Sequence, residues 1–313
     1  MIEPRKVQRV ARVMSGGGPR MSEAKAQAVV DDLRAQAELA PTLVAQMTEL
    51  SEAAERASNT EVLVVDRAAW AAAAAVSIEA MLPPGSDMLG TGELALVLSA
   101  ISPRILGQFD PYSSGDGRLY LVAPNVAAFR ESYNLDQRDL ALWVAVHELT
   151  HAVQFAAAPW LKDEIIRRAH LLLGLDDGVT ESKGAGAEHS ESADSHGESV
   201  SKLLEEVTAI MSLLEGHAEY AMNRVPRQRM LGRDRIIQAM ADRRANKNPL
   251  IALISKRIGA ADKLKQYTGG EKFVEAVIDR AGMEVFNLVW ERSENLPTAA
   301  EIKDPAAWIK RVG

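Results

Sequence analysis

The stretch "LWVAVHELTHAVQF" (Leu142–Phe155) sets two imidazoles and a carboxylate in the middle of an otherwise apolar run. Trp143, Val144, Val146, Val153 and Phe155 predict a buried helix, and a buried polar group without a partner is costly. His147, Glu148 and His151 therefore need compensation, from a hydrogen-bond network in the core or from a metal ion. A helix advances about 100° per residue. His147 and His151, four apart, lie about 40° from one another on one face. Two imidazoles at that spacing can reach one ion at about 2.0–2.1 Å each. Glu148, next to the first, is placed to take a proton from a metal-bound water.

This H-E-x-x-H pattern is a signature of zinc hydrolases. The run before it supplies a helix start, with Asp136 as N-cap and Asp139 in a capping-box-like position. Pro159 supplies the stop.

Composition narrows the classes around this helix. The chain has 313 residues, 47% of them hydrophobic, enough for a sizeable core. The net charge of −7 and pI of about 5.5 argue against a general nucleic-acid binder. There is no cysteine, which excludes disulfides, thiolate metal sites and cysteine nucleophiles. The start, "MIEPRKVQRVARVMSGGG", lacks an apolar core of signal-peptide length, and "AAWAAAAAVSI" (Ala68–Ile78) is too short to span a bilayer. The expectation is a cytoplasmic protein without a membrane or nucleic-acid partner.

Breaker residues divide the rest. "SGGG" (Ser15–Gly18) before Pro19 predicts that residues 1–20 form a flexible N-terminal tail. Residues 21–313 then form a single domain. Met21–Ser58 reads as two helices broken near Pro41. "EVLVV" (Glu61–Val65) reads as a strand, and "DRAAWAAAAAVSIEAML" as a buried helix. "RLYLVAP" (Arg118–Pro124) alternates as a strand should. Residues 176–201, rich in Gly, Ser, Asp, Glu and His, predict a mobile polar loop. The remainder is helical by pattern, with turn signals at "KNP", "TGG" and "LPT". The fold class expected is mainly α with a small sheet, that is α+β.

A catalytic zinc usually takes three protein ligands and leaves a fourth position for water. With no cysteine, the third ligand falls to "LLEGHAEY" (Leu213–Tyr220). By helical angle Glu215 lines up with Leu204, Met211, Ala218 and Met222, an apolar stripe where a glutamate is out of place. Glu215 is the preferred ligand, with Glu219 and His217 as alternatives. Glu219, one turn on, is also placed to accept a hydrogen bond from a histidine ligand. His189 and His196 fall in the polar stretch and read as solvated. His170 reads as surface or packing.

His147-Glu148-x-x-His151 followed by Glu215-Gly216-x-Ala218-Glu219-Tyr220 resembles the gluzincin arrangement, although 63 residues separate His151 from Glu215, more than the aminopeptidase members use. Six segments together resemble the zincin-like metallopeptidase type 2 family: "GRLYLVAPN", "DLALWVAVHELTHAVQF", "PWLKDEI", "LLEGHAEYAMN", "KLKQYTGGEKFVEAVIDRAG" and "FNLVWERSENLPTAAEIKDPAAWIKRV". The resemblance covers roughly Glu61 to the C-terminus. It implies a mostly helical zincin-like hydrolase domain with one zinc at His147, His151 and Glu215. Some members carry a label linking them to deazaflavin cofactor biosynthesis, and the family has no assigned substrate.

The chemistry expected is hydrolysis of a peptide or small amide by a zinc-activated water, with Glu148 as general base. The alternative is a catalytically silent zinc-containing scaffold or peptide-binding protein. Tyr267 and Tyr220 are candidate donors to the tetrahedral oxyanion. Gln154 is placed to orient a histidine. "RLYLVAP" is the candidate strand edge for an extended substrate, with Arg118 facing it or capping the strand as a surface charge. The eight cations between Arg224 and Lys247 read as a solvated face rather than an anion site.

Overall fold

The computed structural model describes residues 2–83, 90–113, 115–175, 191–245 and 269–313, with the side chains of 191–199 and 244–245 left aside. Helices dominate: α1 (Pro4–Met14), α2 (Glu23–Thr48), α3 (Ser51–Ala57), α4 (Arg67–Met81), α5 (Thr91–Ile101), α6 (Ala123–Tyr133), α7 (Gln137–Ala157), α8 (Leu161–Leu172), α9 (Glu191–Arg224), α10 (Arg233–Ala245), α11 (Gly270–Asn287), α12 (Ala299–Lys303) and α13 (Pro305–Val312). Three strands, β1 (Glu61–Val65), β2 (Gly107–Asp110) and β3 (Arg118–Val122), form one sheet in the order β1-β3-β2. The mainly α class with a small sheet is as expected. The chain divides into two compact units, Met1–Ala157 with Ala218–Ala261, and Ala158–His217 with Asp262–Gly313.

In the first unit β1 runs parallel to β3, and β2 antiparallel to it. The alternation of β3 sorts its side chains onto two cores. Leu119 and Leu121 join the larger core with α2, α3, α6 and α7. Tyr120 and Val122 join a smaller one with α1, α4 and α5. Helix α7 is buried along most of its length, from Leu140 to Gln154, and a helix apolar on most sides belongs inside a protein. Its start is capped as the sequence suggests: Asp136 Oδ1 accepts from the backbone N–H groups of Arg138 and Asp139, both at 2.9 Å.

Three expectations need correction here. The N-terminal tail is folded over Pro4–Met14: proline sits in its first turn, Val7 and Ala11 are fully buried, and α1 packs on α4 and α5. The SGGG segment after it is held by Arg67, which donates to the Ser15 carbonyl at 2.7 Å and to Asn125 Oδ1 at 2.6 Å. Burial holds the Arg67 guanidinium below its usual pKa. Secondly, Pro41 lies inside one continuous α2. Leu33, Ala37, Ala40 and Val44 form a buried stripe packed on α7, and that tertiary contact outweighs the one backbone bond proline removes. Thirdly, the polar stretch is helical from Glu191, as the first turns of α9. Its earlier part, residues 176–190, lies outside the described residues, as does "KNP".

In the second unit, Trp308 is fully buried, edge-on to Phe273 at 5.7 Å, and donates to the Asn295 carbonyl at 2.8 Å. "LPT" is the start of α12, where Thr298 and Glu301 form a capping box. On α8 and α9, Glu164 pairs with Arg167 at 3.0 Å and with Arg168, which also reaches Glu206 at 3.3 Å. The hydrogen bond from Arg167, reinforced by Arg168 against the opposing effect of burial, holds the Glu164 carboxyl at about 2, below its ordinary 4.5. A depressed carboxyl stabilises the fold above its ordinary value and loses that contribution as pH falls from about 4.5 towards 2. Glu164→Gln is expected to cost about 1–2 kcal/mol at pH 7 and to flatten the acid limb between those values, read by urea unfolding across pH.

Candidate metal centre

Helix α7 presents His147 and His151 on one face, half-buried, with ring centroids 4.8 Å apart and ring planes at 89°. Their Nε2 atoms face each other at 3.3 Å. His151 Nδ1 lies 2.9 Å from Gln154 Oε1, and Gln154 is fully buried. With the amide oxygen towards the ring, Nδ1 carries the proton and Nε2 keeps its lone pair. Glu215 on α9 adds a carboxylate: one ligand atom from each of His147, His151 and Glu215 lies within 4.8 Å of the others. Among the described residues this is the group of His and acidic side chains gathered closely enough to hold an ion.

The donor set fits a zinc-type ion on its own terms. Two nitrogens each about 2.05 Å from a tetrahedral ion stand about 3.3 Å apart, the separation that α7 provides. Two neutral imidazoles and one carboxylate are the donor types of a hydrolytic zinc site, and they leave a fourth position open. His147, His151 and Glu215 are the residues that would hold it.

Glu148 turns from its histidine neighbours towards the sheet. It is 7% exposed, and its Oε2 accepts from the Phe109 backbone N–H at 3.0 Å. The register explains why that amide is available. Val122 N–H donates to the Leu106 carbonyl, so the pairs Gln108–Tyr120 and Asp110–Arg118 bond across the ladder. Gly107 and Phe109 then aim their backbone groups away from β3. Gly107 lets α7 approach: a Cβ there would stand 2.7 Å from Glu148 Cγ. Strand β3, the expected substrate edge, is paired on both sides, and β2 is the edge strand nearest this chemistry. Arg118 sits in an ion pair with Glu61 at 2.7 Å, the surface-charge role.

The remaining candidates fall elsewhere. Glu219 is half-buried one turn beyond Glu215. His217 is fully buried between Phe286 and Trp290, each 5.2 Å away by ring centroid. Tyr220 is buried with the Arg224 guanidinium 3.8 Å over its ring. His170 is on the last turn of α8. Tyr267 and His189 lie outside the described residues, as does the side chain of His196. Glu215 itself is exposed rather than sunk in an apolar stripe, and Met211 on the same line is 44% exposed. The stripe therefore turns partly outward, and the helical angle placed Glu215 for a reason other than burial.

Two glycines missed as functional set the path of that helix. A Cβ on Gly216 would stand 2.1 Å from the Gly270 backbone carbon, and one on Gly270 would stand 1.9 Å from the Ser212 carbonyl oxygen. Helices α9 and α11 thus cross backbone to backbone beside Glu215. The signal was present as "EG" and "TGG", where two glycines in separate segments mark a close approach rather than a bend.

The family model for zincin-like metallopeptidases matches residues 2–92 and 80–309. The chain belongs to this family. This zincin-like chain is similar, over 99% of its own length and 98% of the other's, to the crystal structure of "a putative hydrolase with a novel fold" from Chloroflexus aurantiacus, with a TM-score of 0.71 and 27% identity. No curated protein matches. Membership and this neighbour support a metallohydrolase. No helix among the described residues is long and apolar enough to cross a membrane.

Gly216→Ala and Gly270→Ala, tested singly in this zincin-like chain, are expected to destabilise it by about 2–3 kcal/mol or more, because backbone cannot yield as a side-chain tip does. Thermal melts check this, with Gly92→Ala, which meets nothing within 4 Å, as the tolerated control.

Proposed function

We propose that this protein is a zinc-dependent hydrolase of peptide or small-amide bonds, with His147, His151 and Glu215 as the metal ligands and Glu148 as general base. The observation that carries the reading is the 3.3 Å separation of the two imidazole Nε2 atoms with the Glu215 carboxylate within 4.8 Å. A bound zinc would act there as a Lewis acid towards water and the scissile carbonyl.

The chain's own groups do the rest. Gln154 holds the His151 ring so that Nε2 faces its partner. The Phe109 amide holds the Glu148 carboxylate, which takes a proton from the attacking water and returns it to the leaving nitrogen. An extended substrate lies along β2, where Gly107 turns its N–H and carbonyl away from the sheet. Tyr267 keeps its proposed role as oxyanion donor. Tyr220, stacked under Arg224, is better suited to packing.

The test is cleavage of a peptide library with and without chelator, beside elemental analysis. One zinc per chain and chelator-sensitive cleavage are expected. Glu148→Gln should keep the zinc and lose at least about 10²–10⁴-fold in turnover. Zinc retained with turnover indifferent to Glu148→Gln would establish the scaffold reading instead.

Gln154→Leu is expected to weaken zinc binding about 10–100-fold while leaving the fold intact, because the His151 ring loses the acceptor that sets its tautomer. Competition with a chromophoric chelator reads this directly, without a substrate.

A further inference from the structure

Several cations near α10 are engaged within the fold: Arg224 lies over Tyr220, Arg227 pairs with Asp234 at 3.1 Å, Arg233 donates to the Asn223 and Val225 carbonyls, and Arg243 reaches the Arg104 carbonyl and the Phe129 ring. Those of α1 are not. Arg5, Lys6, Arg9 and Arg12 are exposed, and none makes a side-chain hydrogen bond or ion pair with any described residue.

Their arrangement is ordered by the helix. At about 100° per residue, the four cations fall within about 120° of arc, centred opposite Val7 and Ala11, which face the core. From Arg5 to Arg12 this gives a basic strip about 11 Å long. Val13 and Met14 stand at its end, 85% and 57% exposed. The helix carries no acidic residue, in a chain whose net charge is −7.

We propose that the outer face of α1 docks the protein on an anionic lipid surface. The four cations supply the attraction, of the kind that draws polybasic segments to acidic leaflets. Val13 and Met14 supply apolar side chains that lose water only when they enter the interfacial layer. That pair favours lipid over nucleic acid, whose phosphate backbone offers an exposed valine nothing, and no aromatic residue on α1 is placed to stack on a base. The expectation of no membrane partner rested on the lack of a signal-length or bilayer-spanning apolar run, with residues 1–20 read as a flexible tail. Folded onto α4 and α5, the same residues become a fixed surface.

The test uses the full chain and vesicle flotation. Flotation is expected with vesicles of phosphatidylcholine containing about 30% phosphatidylserine, and not with phosphatidylcholine alone. It should fade as salt rises from about 0.1 M to about 0.5 M. Arg5→Gln with Arg9→Gln should lower partitioning about tenfold or more, and Val13→Ser with Met14→Ser severalfold. Arg227→Gln with Arg229→Gln should float like the parent. These side chains point to solvent, so unchanged thermal melts keep folding separate from binding. The proposal is overturned if the chain does not float with the acidic vesicles at low salt. It is also overturned if the α1 double arginine variant floats like the parent, or if duplex DNA binds the same face more tightly and strips the protein from vesicles.

Discussion

Two imidazole nitrogens facing each other at 3.3 Å impose an electrostatic requirement on everything near them. Either one ring donates a proton to the other, or both turn lone pairs onto a shared cation. Gln154 bears on the choice, because an acceptor at His151 Nδ1 assigns that ring's proton and leaves Nε2 bare. The carboxylate of Glu215 adds a negative partner within 4.8 Å, which favours the cation.

Holding Glu215 there requires α9 to follow one path. The backbone contact of Gly216 with Gly270 sets it, because helices in contact without side chains between them have little freedom to slide or rotate. The glycine following Glu215 therefore helps to fix the position of a carboxylate proposed as a metal ligand. The same logic applies at Gly107, where the absence of a Cβ lets Glu148 lie against β2.

How much of this was legible in the sequence follows from the range of each interaction. The pair His147 and His151, the neighbouring Glu148, and Gln154 all sit within eight residues of one helix, and helical geometry alone relates them. Glu215 was singled out because a carboxylate in line with Leu204, Met211 and Met222 departs from an apolar pattern, although the structure places it at the surface. The rest depended on partners far along the chain. Val7 and Ala11 are half of an apolar face whose other half lies on α4 and α5, so α1 looked like a tail. The continuity of α2 through Pro41 depends on α7. The central place of β3 depends on the four-residue strand β2, too short to announce itself.

Strand β2 joins these threads. A buried carboxylate must be hydrogen-bonded, and an edge strand must not leave its outward amides bare. Glu148 meets both needs at Phe109 with one hydrogen bond. The arrangement also divides the edge. At Phe109 the outward amide is engaged by Glu148, and at Gly107 the missing Cβ leaves the space that the Glu148 side chain fills. The shortness of β2, which hid it from sequence reading, also confines this contact to the few residues beside Glu148.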